Sequence, residues 1–196
     1  MHVGFPVFTI GHSTHSIEEF LRLLKSHNID SIYDVRSSPY SRFNPVFNQS
    51  ELKDTLSEHS IQYVFIGDSL GGRSNDETDY VEGRVAYDRL KQKTGFTVGI
   101  GQVIEASRHH ALALLCSEKE PLDCHRFILL SNELSQKGME VKHILADGKI
   151  ENQEETIGRL LVRHHLDEAD LFRSDEELVA EALHFQELKV AHRLSV

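Results

Sequence analysis

The chain has no tryptophan, and only two cysteines, two methionines and four prolines among its 196 residues. Two cysteines cannot make a disulfide framework, so reduced thiols and a cytoplasmic setting are expected. No apolar run comes near the roughly 20 residues that cross a bilayer, so no membrane partner is expected. The opening stretch MHVGFPVFTIGHS lacks both a basic n-region and a small-residue cleavage site, and it is not read as a secretory leader. Positive charge is also scarce: 21 Lys+Arg face 31 Asp+Glu, for a formal net charge of −10. Unspecific nucleic-acid binding depends on neutralising phosphates, so this balance argues against it. The deficit is uneven, because residues 147–196 hold 6 basic and 12 acidic side chains. There is no internal repeat, low-complexity stretch or long linker.

What is present is an alternation of short apolar runs with amphipathic stretches. Strands are expected at residues 7–10, 31–35, 61–66, 111–116 and 140–145. The run ALALLC at 111–116 is apolar on both faces, as a central strand of a parallel sheet requires. Helices are expected at 17–26, with Phe20, Leu21 and Leu24 inward and Ser16 with Glu19 as a capping box. Others are expected at 49–59, with Ser50 as N-cap and Leu52 and Leu56 inward, and at 81–93, 96–108 and 124–137, the last ending at Gly138. The pattern predicts an α/β domain over residues 1–146, an open and mostly parallel sheet of about five strands with helices on both faces. Residues 147–196 read as an acidic helical extension, with helices near 153–165 and 174–193. Its Leu178, Ala182, Phe185 and Leu188 are expected on one face, packed on the sheet or forming a homodimer.

Unusual polar residues follow four of the strands: Gly11-His12-Ser13, Asp34-Val35-Arg36, Gly71-Gly72-Arg73, and Cys116 with Glu118. In open α/β sheets, ligands bind at the carboxyl ends of the strands, so these segments are expected to share one crevice. The motifs TIGHS, DVRSSPYSR, LGG and CSEKEPLDCHR, in this order and spacing, resemble the domain-of-unknown-function 488 family of prokaryotic proteins. The resemblance covers roughly residues 8–144. It implies an α/β fold with the motif residues gathered into an active site and implies no established reaction.

The stretch LLCSEKEPLDCHR holds both cysteines and admits three readings, in order of preference: the edge of an anion pocket, a reactive thiol, and a zinc site. Arg36, Arg42, Arg73 and Arg126 offer planar, permanently charged forks for phosphate or carboxylate. Gly71 and Gly72 let the backbone approach a ligand, and Ser13, Ser41, Tyr80 and His125 join the expected anion-binding set. The alternative is a set of structural ion pairs, for instance Arg36 with Glu118. Cys124 at a helix start next to Arg126 is expected to have a lowered pKa, as a nucleophile needs. Zinc would use Cys116, Cys124 and His125 with His12 as fourth ligand, although adjacent Cys-His ligands are awkward. His12, Asp34 and Glu118 are the expected proton carriers, with Cys116 and Cys124 completing the catalytic set.

The proline-stiffened loop SSPYSRFNPVFN, with Tyr40, Phe43 and Phe47, reads as a lid whose aromatics stack on a base or pack the loop down. His109-His110 and His164-His165 read as solvated. The functional expectation is an enzyme without a resident cofactor, acting on a phosphate-bearing, nucleotide-like substrate. The alternatives are a sensing module without turnover and a nucleic-acid processing protein.

Overall fold

The structure is a computed structural model that describes residues 4–168 and 172–194. In chain order the elements are β1 (Val7–Gly11), α1 (Ile17–Ser26), β2 (Ser31–Asp34), α2 (Gln49–Glu58), β3 (Gln62–Phe65), α3 (Gly67–Leu70), β4 (Tyr80–Val81) and β5 (Arg84–Val85). Then follow α4 (Tyr87–Lys91), α5 (Thr94–Ala106), β6 (Leu112–Cys116), a π-helical turn (Arg126–Ser131) that runs into α6 (Asn132–Gln136), β7 (Val141–Ile144), β8 (Ile150–Asn152), α7 (Gln153–Arg163) and α8 (Asp175–Val190). Six strands form one sheet in the order β3-β2-β6-β1-β7-β8, parallel except for β8. No helix among the described residues is long and apolar enough to cross a membrane.

The fully buried β6 lies between β1 and β2, as its two-faced apolar run requires. Its side chains divide by the period of two. Leu112, Leu114 and Cys116 face one core layer with Phe127, Leu129 and Leu130, while Ala113 and Leu115 face the other with Phe20, Leu24, Leu52 and Leu56. The chain leaves β1 toward β2 and leaves β6 toward β7, so successive crossovers run in opposite directions from the centre of the sheet. This divergence opens a crevice beyond the carboxyl ends of β1, β6 and β2.

Four local expectations are corrected. Residues 81–93 do not form one helix: Glu82 and Gly83 take φ of 49° and 74°, which turns the chain into the β4-β5 hairpin before the short α4. Residues 150–152, read from the sequence as part of the helical extension, add a sixth strand antiparallel to β7. Asn48, not Ser50, stands at the N-cap of α2, and the Ser50 hydroxyl donates to Glu51 instead. Ser16 does cap α1 by accepting from the Glu19 amide, but the Glu19 carboxylate pairs with Arg22 rather than closing the box.

The extension lies on its own chain. Helix α8 buries Leu178, Ala182 and Gln186, whereas Phe185 and Leu188, expected inward, stay 39% and 43% exposed. The Gln186 amide donates to the Leu122 carbonyl at 2.9 Å, and its oxygen lies 2.9 Å from His164 Nε2. This ties α8 to α7 and to the loop ahead of Cys124. Of the four histidines expected in water, His109 and His165 are exposed, while His110 and His164 are half-buried.

A second buried polar group stitches β1, β7 and α7 together. His143 on β7 lies 2.8 Å from Thr9 Oγ1 and 2.9 Å from Gln153 Oε1. Burial, aided by the charges of Arg126 and Arg159, lowers its pKa from 6.5 to about 4 despite the Gln153 contact. As the pH falls below 6.5 the unfolded chain takes up this proton first, so stability declines down to about pH 4. The loss from this residue is about 3 kcal/mol. Urea unfolding of wild type and His143→Asn at pH 7 and pH 4.5 checks it: the wild type loses more stability on acidification than the variant.

Candidate functional site

The register carries the polar residues to one edge. Gly11 pairs with Cys116 and Asp34 with Leu115, so the segments after β1, β2 and β6 start side by side. Beyond them lies an open cavity of about 160 Å³. Of the expected residues, Arg36, Gly72, Arg73, Cys116, Glu118, Cys124 and His125 line it.

Two thiols, a carboxylate and an imidazole meet at its floor. Glu118 reaches solvent, yet its Oε2 lies 2.8 Å from Cys116 Sγ and 3.1 Å from Cys124 Sγ. His125 Nδ1 is 3.6 Å from Cys116 Sγ and 3.8 Å from Cys124 Sγ. The other ring nitrogen, Nε2, is 3.2 Å from the Val35 carbonyl. A carbonyl only accepts, so Nε2 carries a proton, and Nδ1 is the ring nitrogen turned toward the sulfurs. Gly72 makes room for this ring, since a Cβ there would stand 2.7 Å from it.

The lowered pKa expected for Cys124 is corrected. Cys124 is 1% exposed and has an extended backbone ahead of the π-helical turn, and burial pushes its thiol well above the ordinary value. The opposing pull of the Arg126 charge is smaller. Burial also pushes the Glu118 carboxyl up, but hydrogen bonds from both thiols and attraction to His125 outweigh it and leave Glu118 below the usual carboxylate value. The expected regular helix over 124–137 begins instead with six residues in π-helical form, all buried, a rare geometry often found beside functional sites.

Asp34, Arg36 and Arg126 form the support. The Arg36 guanidinium holds Asp34 in a two-pronged buried pair, Nε to Oδ1 at 2.9 Å and Nη2 to Oδ2 at 2.5 Å, and the Tyr63 hydroxyl donates to Oδ2 at 2.7 Å. The partner of Arg36 is therefore Asp34, in place of the Glu118 considered as an alternative. Arg126 is wholly buried, and its guanidinium donates to the carbonyls of Glu118 and Lys119. It organises the loop and is not part of the cavity wall. His12 is stacked on Phe47 with ring centroids 4.4 Å apart, and its Nδ1 donates to the Ser13 carbonyl at 3.0 Å. Burial and then the Arg36 charge lower its pKa to about 4, so it is neutral at pH 7.

Besides Asp34, Arg126 and His12, five expected residues lie outside the cavity wall. Ser41 Oγ accepts from the Phe43 and Asn44 amides and shapes its own loop. Arg42 is exposed, Ser13 takes φ of 48° beside Ser117, and the Tyr80 hydroxyl donates to the Ser74 carbonyl. Gly71 packs on Ser37 and lines an adjoining pocket that shares Ser37, Ser38 and Arg73 with the first. Of the loop aromatics, Phe47 is buried between His12 and Phe20, whereas Tyr40 is 68% and Phe43 96% exposed.

Sequence reasoning missed Ser37, Ser38, Tyr87, Ser117, Asp123, Val190 and His192 in the cavity wall. Ser37, Ser38 and Ser117 adjoin residues already singled out, and proximity was the available signal. Val190 and His192 arrive by a bridge between the tail and β5, with Val85 donating to the His192 carbonyl at 3.0 Å and Leu194 to the Gly83 carbonyl at 2.9 Å. Nothing in the pattern of the tail announces this.

With the geometry in place, comparison with known families is informative. Residues 16–132 match the family model described as domain of unknown function DUF488. The chain belongs to the DUF488 family. The matched segment of this DUF488 protein holds Asp34, Arg36, Gly72, Cys116, Glu118, Cys124 and His125, and leaves out His12 and the wall contributed by the tail. Curated proteins and solved structures gave no match.

The Asp34–Arg36 pair makes a testable contribution. Asp34→Ala leaves a buried guanidinium and the Tyr63 hydroxyl without their acceptor, and costs about 3–5 kcal/mol. Tyr63→Phe removes one bond to a charged group and costs about 1–3 kcal/mol. Urea denaturation of both variants checks the order, and equal losses contradict it.

Proposed function

We propose that the crevice binds and turns over a small phosphate-bearing substrate, with Arg73 as its anion anchor and Glu118 as the group that exchanges a proton with it. The observation that carries the reading is the facing of two unlike charges across one cavity at the carboxyl edge of the sheet. Arg73 has no carboxylate partner among the described residues, and its amide donates to Ser37 Oγ at 3.0 Å. The guanidinium therefore stands available beside the hydroxyls of Ser37, Ser38 and Ser117, a donor set suited to phosphate oxygens. Glu118 enters from the opposite loop with one oxygen held by the thiols.

Arg36 takes a different part from the one its charge suggested. Bound in the Asp34 pair, it supplies a positive wall and rigidity while Arg73 supplies reach. Tyr87 lines the wall but is only 2% exposed, so nucleotides are tried alongside simple phosphate esters rather than ahead of them. The exposed Tyr40 and Phe43 do not serve as a base platform in this arrangement.

The test is a panel of nucleotides and simple phosphate esters, with inorganic phosphate as competitor. Glu118→Gln lowers kcat by about 100-fold or more, the scale of a lost acid–base group. Arg73→Ala raises KM by about 10-fold or more with kcat little changed, as loss of uniform binding does. Full activity in both variants overturns the role assignments. Tight binding without turnover favours a sensing module, and a steep loss of binding with salt favours a nucleic-acid end.

A further inference from the structure

The geometry points to a zinc site at the floor of the crevice, made by Cys116 Sγ, Cys124 Sγ and His125 Nδ1, with its fourth position open to the cavity beneath Glu118. The three donor atoms lie within 4.8 Å of one another. Zinc bonds of about 2.3 Å to sulfur and about 2.0 Å to nitrogen, at a tetrahedral angle, place S and N about 3.5 Å apart. The observed separations are 3.6 and 3.8 Å. Two thiolates and an imidazole are a donor set that suits zinc.

The second observation is the orientation of His125. A metal-bound histidine characteristically gives its other N–H to a carbonyl or carboxylate, which fixes the ring and aims the lone pair. His125 does this through Nε2 to the Val35 carbonyl, with Gly72 leaving space for the ring. The adjacency of Cys124 and His125, awkward as a sequence spacing, is resolved by the backbone. Cys124 is extended (φ −139°, ψ 144°) and His125 helical (φ −59°, ψ −25°), and their side chains converge. His12, the fourth ligand expected from sequence, is excluded by its stacking on Phe47 and its bond to Ser13. On the cavity side Glu118 stands over the open position as a neighbour and not as a ligand, its Oε2 touching both sulfurs.

Three protein ligands with an open fourth position describe a reactive zinc rather than a purely structural one. The ion would sit where Glu118 and a substrate in the crevice both reach it. The inference stands apart from the reading of the crevice, because metal binding is measured with no substrate present.

Wild-type protein purified without chelator is expected to hold close to one zinc per chain. Its cobalt-substituted form should show thiolate-to-metal charge transfer that zinc displaces. Cys116→Ser and Cys124→Ser each weaken zinc binding by more than about 100-fold, beyond the loss of an outer partner. Glu118→Gln keeps the charge-transfer band within about 10-fold of wild-type affinity, so a failed enzyme reading leaves the metal result standing. Should a cysteine variant not fold, X-ray absorption of the wild-type zinc form decides, with a sulfur shell expected at about 2.3 Å. A folded wild type that takes up neither metal, a shell of nitrogen and oxygen only, or a band that survives both cysteine substitutions overturns the site.

Discussion

The arrangement at the sheet edge depends on one buried guanidinium. Arg126 enters the core at the first residue of the π-helical turn and turns its head toward the loop after β6, where it donates to two successive carbonyls. The guanidinium is itself buried, and a buried charge without acceptors is costly, so the two carbonyls answer its need. Holding them fixes the path from Cys116 through Glu118 and brings that loop back over Cys124. Gly11 completes the constraint, since a Cβ there would stand 1.8 Å from the Glu118 carbonyl oxygen. The end of β1, the loop after β6 and the start of the π-helical turn are therefore fitted to one another, and the sulfurs meet as a result.

Charge is managed by separation. Asp34 and Arg36 neutralise one another in the interior, and neutral His12 and His143 fill polar positions without a charge. The ionic groups that face the cavity are then few. That selectivity matters in a chain with a net charge of −10, because the local field in a cleft depends on the nearby groups and not on the total.

The fold was largely legible in the sequence because its signals were periodic. The two-faced run at 111–116 announced a central strand, and Phe20, Leu24, Leu52 and Leu56 announced their helix faces. The gathering of residues after the strands followed from topology alone. Less legible was the part each charged side chain plays. Arg36, Arg73 and Arg126 look alike in a sequence, but one is paired, one is available and one holds carbonyls, distinctions set by burial and by neighbours far along the chain. The hairpin at 80–85 was hidden because Glu82 takes positive φ without being glycine. The π-helical turn was hidden because its apolar residues suit an ordinary helix equally well.

The tail adds a consequence of its own. His192 and Val190 reach the cavity because the last described residues dock against the β4-β5 hairpin, and both lie beyond the segment that defines the family. The cysteines and Glu118 sit on the sheet edge, while part of the rim above them rides on the end of α8. Because Gln186 of that same helix also holds the Leu122 carbonyl, any shift in the docking of the tail reaches both the mouth of the cavity and the approach to Cys124.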